Sequence, residues 1–292
     1  MAPGIGFAVA AALVWGVYLF VLKRLFDGFP ATVLIVYANG FALLWYAPVL
    51  LASIGVDGTR TAITGLDGSQ LALLVLTAAM TAAAIVSFIR ALDVGEVSYV
   101  APISKIVPVF VLPIEVLLLQ EVLRPLQIAG VVVATAAVYV ANFRGGSLAA
   151  PLRRAASSRA AQLAVLSAAC FAVGDVGKRV ALQELAIPSA LWVPLLLGCV
   201  LVIVLPIAVR SHPERVRDDF PKLAALGALV ALAEYLTTLA FAVVPASIAS
   251  PIVNTQAIVA VLLGGVLLDE QYFGTRLLAA LLALIGVTMI AL

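Results

Sequence analysis

Among the charged residues that lie inside otherwise apolar runs of the chain, four are where chemistry is expected first. Lys105 falls about seven residues into the run 98–119, roughly 10 Å deep at the helical rise. Glu234 falls about thirteen residues into the run 221–243 and has no basic residue within four positions on its own run. Asp175 has Lys178 and Arg179 at i+3 and i+4, the spacing of a pair within one helix. Glu115 lies about one turn from the end of its run, close enough for its side chain to reach the headgroups. A charge held in hydrocarbon is costly, so a deep one marks a binding or ion-pathway site unless it is merely paired for structure. The pattern suits a solute site. Lys105 supplies positive charge to an anionic or zwitterionic substrate, and Glu234 pairs with it or carries a coupling proton, as Asp175 also can. Trp15 and Tyr18, three apart, form an aromatic wall or face lipid.

The elements that must position these groups are membrane helices. Of the 292 residues 64% are hydrophobic and 11% charged, and the mean hydropathy is +1.20, so lipid is the solvent. Ten runs of about 20 apolar residues, each able to cross the hydrocarbon, fall at 4–22, 30–52, 69–90, 98–119, 125–142, 161–180, 189–209, 221–243, 247–267 and 274–292. The first run lacks a basic leader and is read as a permanent span. Both cysteines, Cys170 and Cys199, sit in apolar runs and read as packing residues.

The chain contains one stretch twice. Residues 91–142 return as 240–292 at an offset of 149, which pairs Pro102 with Pro251, Glu121 with Glu270 and Lys105 with Asn254 without a gap. The first repeat is 1–146, a polar Gly/Ser-rich connector spans 147–160, and the second repeat is 161–292. Five spans per repeat is an odd number, so the second copy enters the membrane inverted relative to the first. The fold class expected is all-α integral membrane: ten helices in two inverted five-helix repeats around a central cavity. Lys105 opposite Asn254, with Gln256 nearby, is where the copies differ in a polar position. Pro102 and Pro251 are candidate hinges, because an internal proline frees a carbonyl and bends a helix. Glu121 and Glu270 fall at connectors and read as structural.

Twelve of the 17 Lys and Arg lie in connectors after odd-numbered spans and four in those after even-numbered ones. That bias places odd connectors in the cytoplasm and both termini outside, in a prokaryotic plasma membrane. A net charge of +2 gives no reason to expect nucleic acid. The one histidine, His212, sits in a charged connector, and there is no metal-ligand cluster, phosphate loop or nucleophile with a base. Hence no cofactor and no metal are expected, and an integral-membrane enzyme is the weaker alternative.

The duplicated endings LLLQEVLRPLQIAG and VLLDEQYFGTRLLA, the run WGVYLFVLK with Trp15, Gly16 and Lys23, and its rougher echo CFAVGDVGKR resemble the drug/metabolite transporter superfamily, in its ten-helix EamA-type branch. The glycine of the first ending, Gly130, is Ala279 in the second, and the later Gly286 is Ala137 in the first. The resemblance implies a cavity lined by spans one, three, four, six, eight and nine, opening alternately to each side, with proton-driven or exchange transport. It implies a small metabolite or drug-like substrate, with export expected and an amphiphile flippase of the same fold as the alternative. The partners expected are that substrate and membrane lipids, in a monomer or homodimer.

Overall fold

The apolar runs form helices in a computed structural model that describes residues 2–119, 124–141, 156–211, 216–243, 246–267 and 273–291. Its helices are α1 (Ala2–Phe26), α2 (Ala31–Thr64), α3 (Gly68–Asp93), α4 (Val97–Ser104), α5 (Val107–Leu119), α6 (Pro125–Ala141), α7 (Arg159–Arg179), α8 (Ser189–Ala208), α9 (Phe220–Val243), α10 (Ala246–Asn254), α11 (Gln256–Leu267) and α12 (Phe273–Ala291). Among the described residues six helices are long and apolar enough to cross a membrane. Their outward faces carry large apolar residues such as Leu44, Val75 and Val202, as a lipid-facing surface requires.

Three expectations about the spans are corrected. Span two does not stop near residue 52: α2 continues to Thr64 and changes direction at Gly55, whose φ of 67° favours glycine. At 34 residues a straight helix would measure about 50 Å, more than the hydrocarbon spans. Span four is not one helix but α4 and α5. Span nine is likewise divided, into α10 and α11.

The two divisions are the same structure. At the first, the N–H of Ile106 donates to Ile103 and that of Val109 to Ile106, at 3.4 and 2.9 Å. At the second, Thr255 donates to Ile252 and Ile258 to Thr255, at 3.1 and 2.9 Å. Every one of these residues pairs with its counterpart at the repeat offset. Both divisions are single turns of tighter i to i+3 bonding. Pro108 lacks the N–H that would have bonded Ser104, which accounts for the first. The second copy has Ala257 there, so no missing N–H accounts for its division. The helices run through Pro102 and Pro251, and the bends expected at them fall three to four residues later.

Packing repeats along with the sequence. α3 lies along α7 as α9 lies along α1; α4 and α5 pack on α7 as α10 and α11 pack on α1; α6 and α12 pack on each other. Interchanging the two copies reproduces these pairings. The shared core runs through Leu34, Tyr46, Phe88, Trp192 and Leu226, all nearly free of solvent. Glu121, Glu270 and His212 lie outside the described residues.

Candidate functional site

Close helix contacts aim the polar faces inward. On α7, a Cβ at Gly177 would sit 2.2 Å from Thr77 Oγ1 and one at Gly174 would sit 3.1 Å from Thr81 Oγ1, so α7 approaches α3 along its glycines. Asp175 and Lys178, each one residue on and thus about 100° around the helix, turn to the interior. On α1, a Cβ at Gly16 would sit 2.4 Å from that of Val259, which seats α1 against α11 and turns Trp15 and Tyr18 inward.

These faces enclose a central cavity with about 1130 Å³ of atom-free space, the solvent at its mouth included. Trp15, Tyr18, Lys105, Asp175, Glu234, Asn254 and Gln256 all line it. Elements from both repeats therefore contribute to one chamber, and the divisions of α4/α5 and α10/α11 both open onto it through Lys105 and Asn254.

The charges are arranged differently from the expectation. Glu234 does not pair with Lys105; its Oε1 lies 2.5 Å from Lys178 Nζ, and both side chains are nine-tenths or more buried. Thr238 donates a longer bond to the same oxygen, 3.4 Å, and Lys178 lies 5.7 Å from the Phe241 ring centre. The pair expected within α7 is thereby corrected as well. Lys178 reaches across to α9, and Asp175 Oδ2 instead accepts from Ser250 Oγ on α10 at 3.1 Å. Asn254 Nδ2 in turn donates to the Ser250 carbonyl at 2.8 Å and to its Oγ at 3.2 Å. This chain joins the α10 terminus to α7.

Lys105 is held by aromatic faces. Its Nζ lies 5.3 Å from the Phe88 ring centre and 4.9 Å from that of Phe171, cation–π distances. Among the described residues no carboxylate comes within ion-pair distance of it. Trp15 Nε1 donates to Thr237 Oγ1 at 3.0 Å, and its ring meets Tyr18 edge to face at 5.2 Å. Asn39, buried on α2, donates to the Leu197 carbonyl at 3.3 Å. The cavity thus holds two cations and two carboxylates, with one pair already matched. Among the described residues no three His, Cys, Asp or Glu gather as a metal site.

The model of one family, the EamA-like transporter family, matches twice, over residues 2–143 and 158–292, nearly the whole chain. The chain belongs to the EamA-like transporter family. It is thereby an integral membrane protein of a transporter family within the drug/metabolite transporter superfamily. No curated protein matches it. A solved structure described only as "Crystal structure of protein" is similar in fold over 99% of this chain and 96% of that one, with a TM-score of 0.70 at 16% identity.

Several EamA cavity residues were not singled out in the sequence. In the sequence Lys178 reads only as the partner of Asp175. Asn39, Ser250 and Thr237 are ordinary polar residues in apolar runs, and Phe88 and Phe171 look like any core aromatic. The GDVGK run did carry a signal: glycines three apart beside an acid and a base three apart mark a packed face next to a functional one.

Proposed function

We propose that the protein is a secondary active transporter of a small zwitterionic or anionic organic solute, working by alternating access. On this reading ten spans form two inverted repeats, 1–146 and 161–292, joined by 147–160 and enclosing the central cavity. The repeated helix divisions and the interchangeable packing of the copies support it. The observation that carries the substrate class is the state of Lys105: buried, held between Phe88 and Phe171, with no carboxylate at ion-pair distance among the described residues. A solute carboxylate completes this site. Asp175, which shares the cavity and accepts from the Ser250 hydroxyl, receives a solute ammonium. Trp15, Tyr18, Gln256 and Asn254 shape the remaining wall.

Glu234 and Asp175 are the carboxylates available to carry a coupling proton. Protonation of Glu234 would release Lys178 to bind solute, so proton and anion would exchange at one place. The Lys and Arg bias favours cytoplasmic odd connectors; the reading is completed by export across a prokaryotic plasma membrane, with a monomer or homodimer as the working unit.

The test is flux of a metabolite panel into proteoliposomes with and without an imposed pH gradient. Zwitterions and carboxylates should be moved in preference to cations, with acceleration by the gradient lost in Glu234→Gln or Asp175→Asn. Transport of organic cations alone would reject the substrate class. Gradient independence of a confirmed substrate would reject proton coupling.

A further inference from the structure

Two hydrogen bonds in the structure are one tie made twice. Lys23, near the end of α1, donates from Nζ to the carbonyl of Leu92 near the end of α3, at 2.8 Å. Gln183, in the π turn Val180–Glu184 that follows α7, donates from Nε2 to the carbonyl of Phe241 near the end of α9, also at 2.8 Å. The offset of 149 carries Leu92 onto Phe241, and α1 and α3 correspond in packing to α7 and α9. In each copy, then, the end of the first helix, or the turn that follows it, is fastened to the end of the third by a side chain that grips the same carbonyl, and Phe241 itself lines the cavity.

The fastenings differ in charge. Lys23 is a cation and is itself braced by Asp27 at 2.7 Å, whereas Gln183 is neutral. Four residues beyond Leu92, Glu96 stands at the N-terminal cap of α4 and forms an ion pair with Arg276 of α12. The Arg276 side chain is almost wholly buried, and its guanidinium lies 5.8 Å from the Tyr99 ring centre. That pair pins the turn carrying the Leu92 carbonyl. At the repeat offset the places of Glu96 and Arg276 are taken by Pro245 and Gln127, which carry no charge. The second copy cannot make this brace.

We propose that the Lys23–Leu92 and Gln183–Phe241 ties are the two gates of the transport cycle, and that the charged Lys23 gate is held more firmly than the neutral Gln183 gate. The inference rests on the alternating-access reading, under which inverted repeats put the two ties at opposite ends of the cavity. A charge-assisted hydrogen bond is roughly twice as strong as a neutral one, and the Arg276 side chain that holds Glu96 is almost wholly buried. Two states of a transporter differ by a few kcal/mol, so a difference of this kind sets which of them is populated. The resting protein favours the form closed at the Lys23 end and open at the Gln183 end.

The experiment needs no substrate. With Cys170 and Cys199 replaced by serine, a single reporter, Val230→Cys on the cavity wall, is labelled in proteoliposomes of defined orientation by a membrane-impermeant maleimide from one side at a time. In the parent, labelling should be faster from the Gln183 end. Lys23→Gln and, separately, Arg276→Gln should raise labelling from the Lys23 end by roughly tenfold and slow it from the other. Lys23→Arg and Arg276→Lys should retain the parent pattern. Gln183→Lys, which adds a charge instead of removing one, should deepen access at the Lys23 end in its own right. Unchanged labelling from both ends in Lys23→Gln, Arg276→Gln and Gln183→Lys would overturn the gate assignment while leaving alternating access standing. Labelling confined to one and the same side in every variant would instead overturn alternating access, and the gates with it.

Discussion

Lys178 and Glu234, 56 residues apart in the chain, meet at 2.5 Å in the interior and tie α7 to α9. Removing one partner leaves the other charge buried and uncompensated, which costs about 3–5 kcal/mol, whereas removing both can be close to neutral. Glu234→Leu should therefore lower the unfolding temperature of the detergent-solubilised protein sharply. Adding Lys178→Met should recover most of the loss. Equal unfolding temperatures for the parent and Glu234→Leu would mean that the pair does not hold these helices together.

Lys105 makes the opposite case, because its neighbours are ring faces. A cation–π contact contributes about 0.5–2 kcal/mol, and a hydrogen bond to a charged group about 1.5–3 kcal/mol. Lys105→Met keeps the length of the side chain against Phe88 and Phe171, so folding should change little. Flux of a carboxylate-bearing solute should fall by tenfold or more, in line with those magnitudes. Phe171→Leu should give an intermediate loss by loosening the ammonium. Measured initial rates that do not separate the three proteins would remove Lys105 from the solute site.

Asp67 begins α3 with a capping box: its Oδ1 accepts from the Ser69 hydroxyl and from the Ser69 and Gln70 N–H groups, and Gln70 Oε1 accepts from the Asp67 N–H. The Ser69 hydroxyl first, and then the Gln70 N–H, hold the carboxyl below its ordinary range. A depressed carboxyl contributes stability that is present above its unfolded value and is lost as pH falls through the folded one. Thermal unfolding of the parent and Asp67→Ala should therefore differ at neutral pH. The difference should shrink in acid below the ordinary carboxylate range, and a gap that widened there would contradict the cap.

Much of this was legible in the sequence because hydrocarbon leaves few choices. A run of about 20 apolar residues has to be a helix, and α3, α7, α8 and α9 fall within a few residues of the runs marked for them. Depth within a run also singled out Lys105 and Glu234, which both line the cavity, since a charge has nowhere else to go. Pairing was not legible. Whether Glu234 meets Lys105 or Lys178 depends on how α9 crosses α7, and that crossing is set by the contacts of Gly174 and Gly177 with α3, which no single run contains. The helix divisions were hidden for a related reason. Pro108 signals the first, but the second sits at Thr255 and Gln256, where nothing in the local sequence forbids a helix. Copying the first division onto the second by the 149 offset would have found it.

Glycines of α1 allow the close packing to be tested by sign. At Gly16 a Cβ would lie 2.4 Å from Val259 Cβ, 2.6 Å from its Cγ1 and 3.2 Å from the Gln256 carbonyl. Valine's branched side chain is stiff and cannot swing away, so α1 must retreat from α11, an overpacking cost of about 1–3 kcal/mol. At Gly6 a Cβ would meet nothing within 4 Å, and alanine there gains about 0.5–1 kcal/mol of helix preference. Gly6→Ala should raise the unfolding temperature and Gly16→Ala should lower it. Because Gln256 lines the cavity, Gly16→Ala should also slow flux, while Gly6→Ala should leave it alone. A Gly16→Ala protein as stable and as active as the parent would show that α1 and α11 do not approach this closely, and with that the inward aim of Trp15 and Tyr18 would lose its cause.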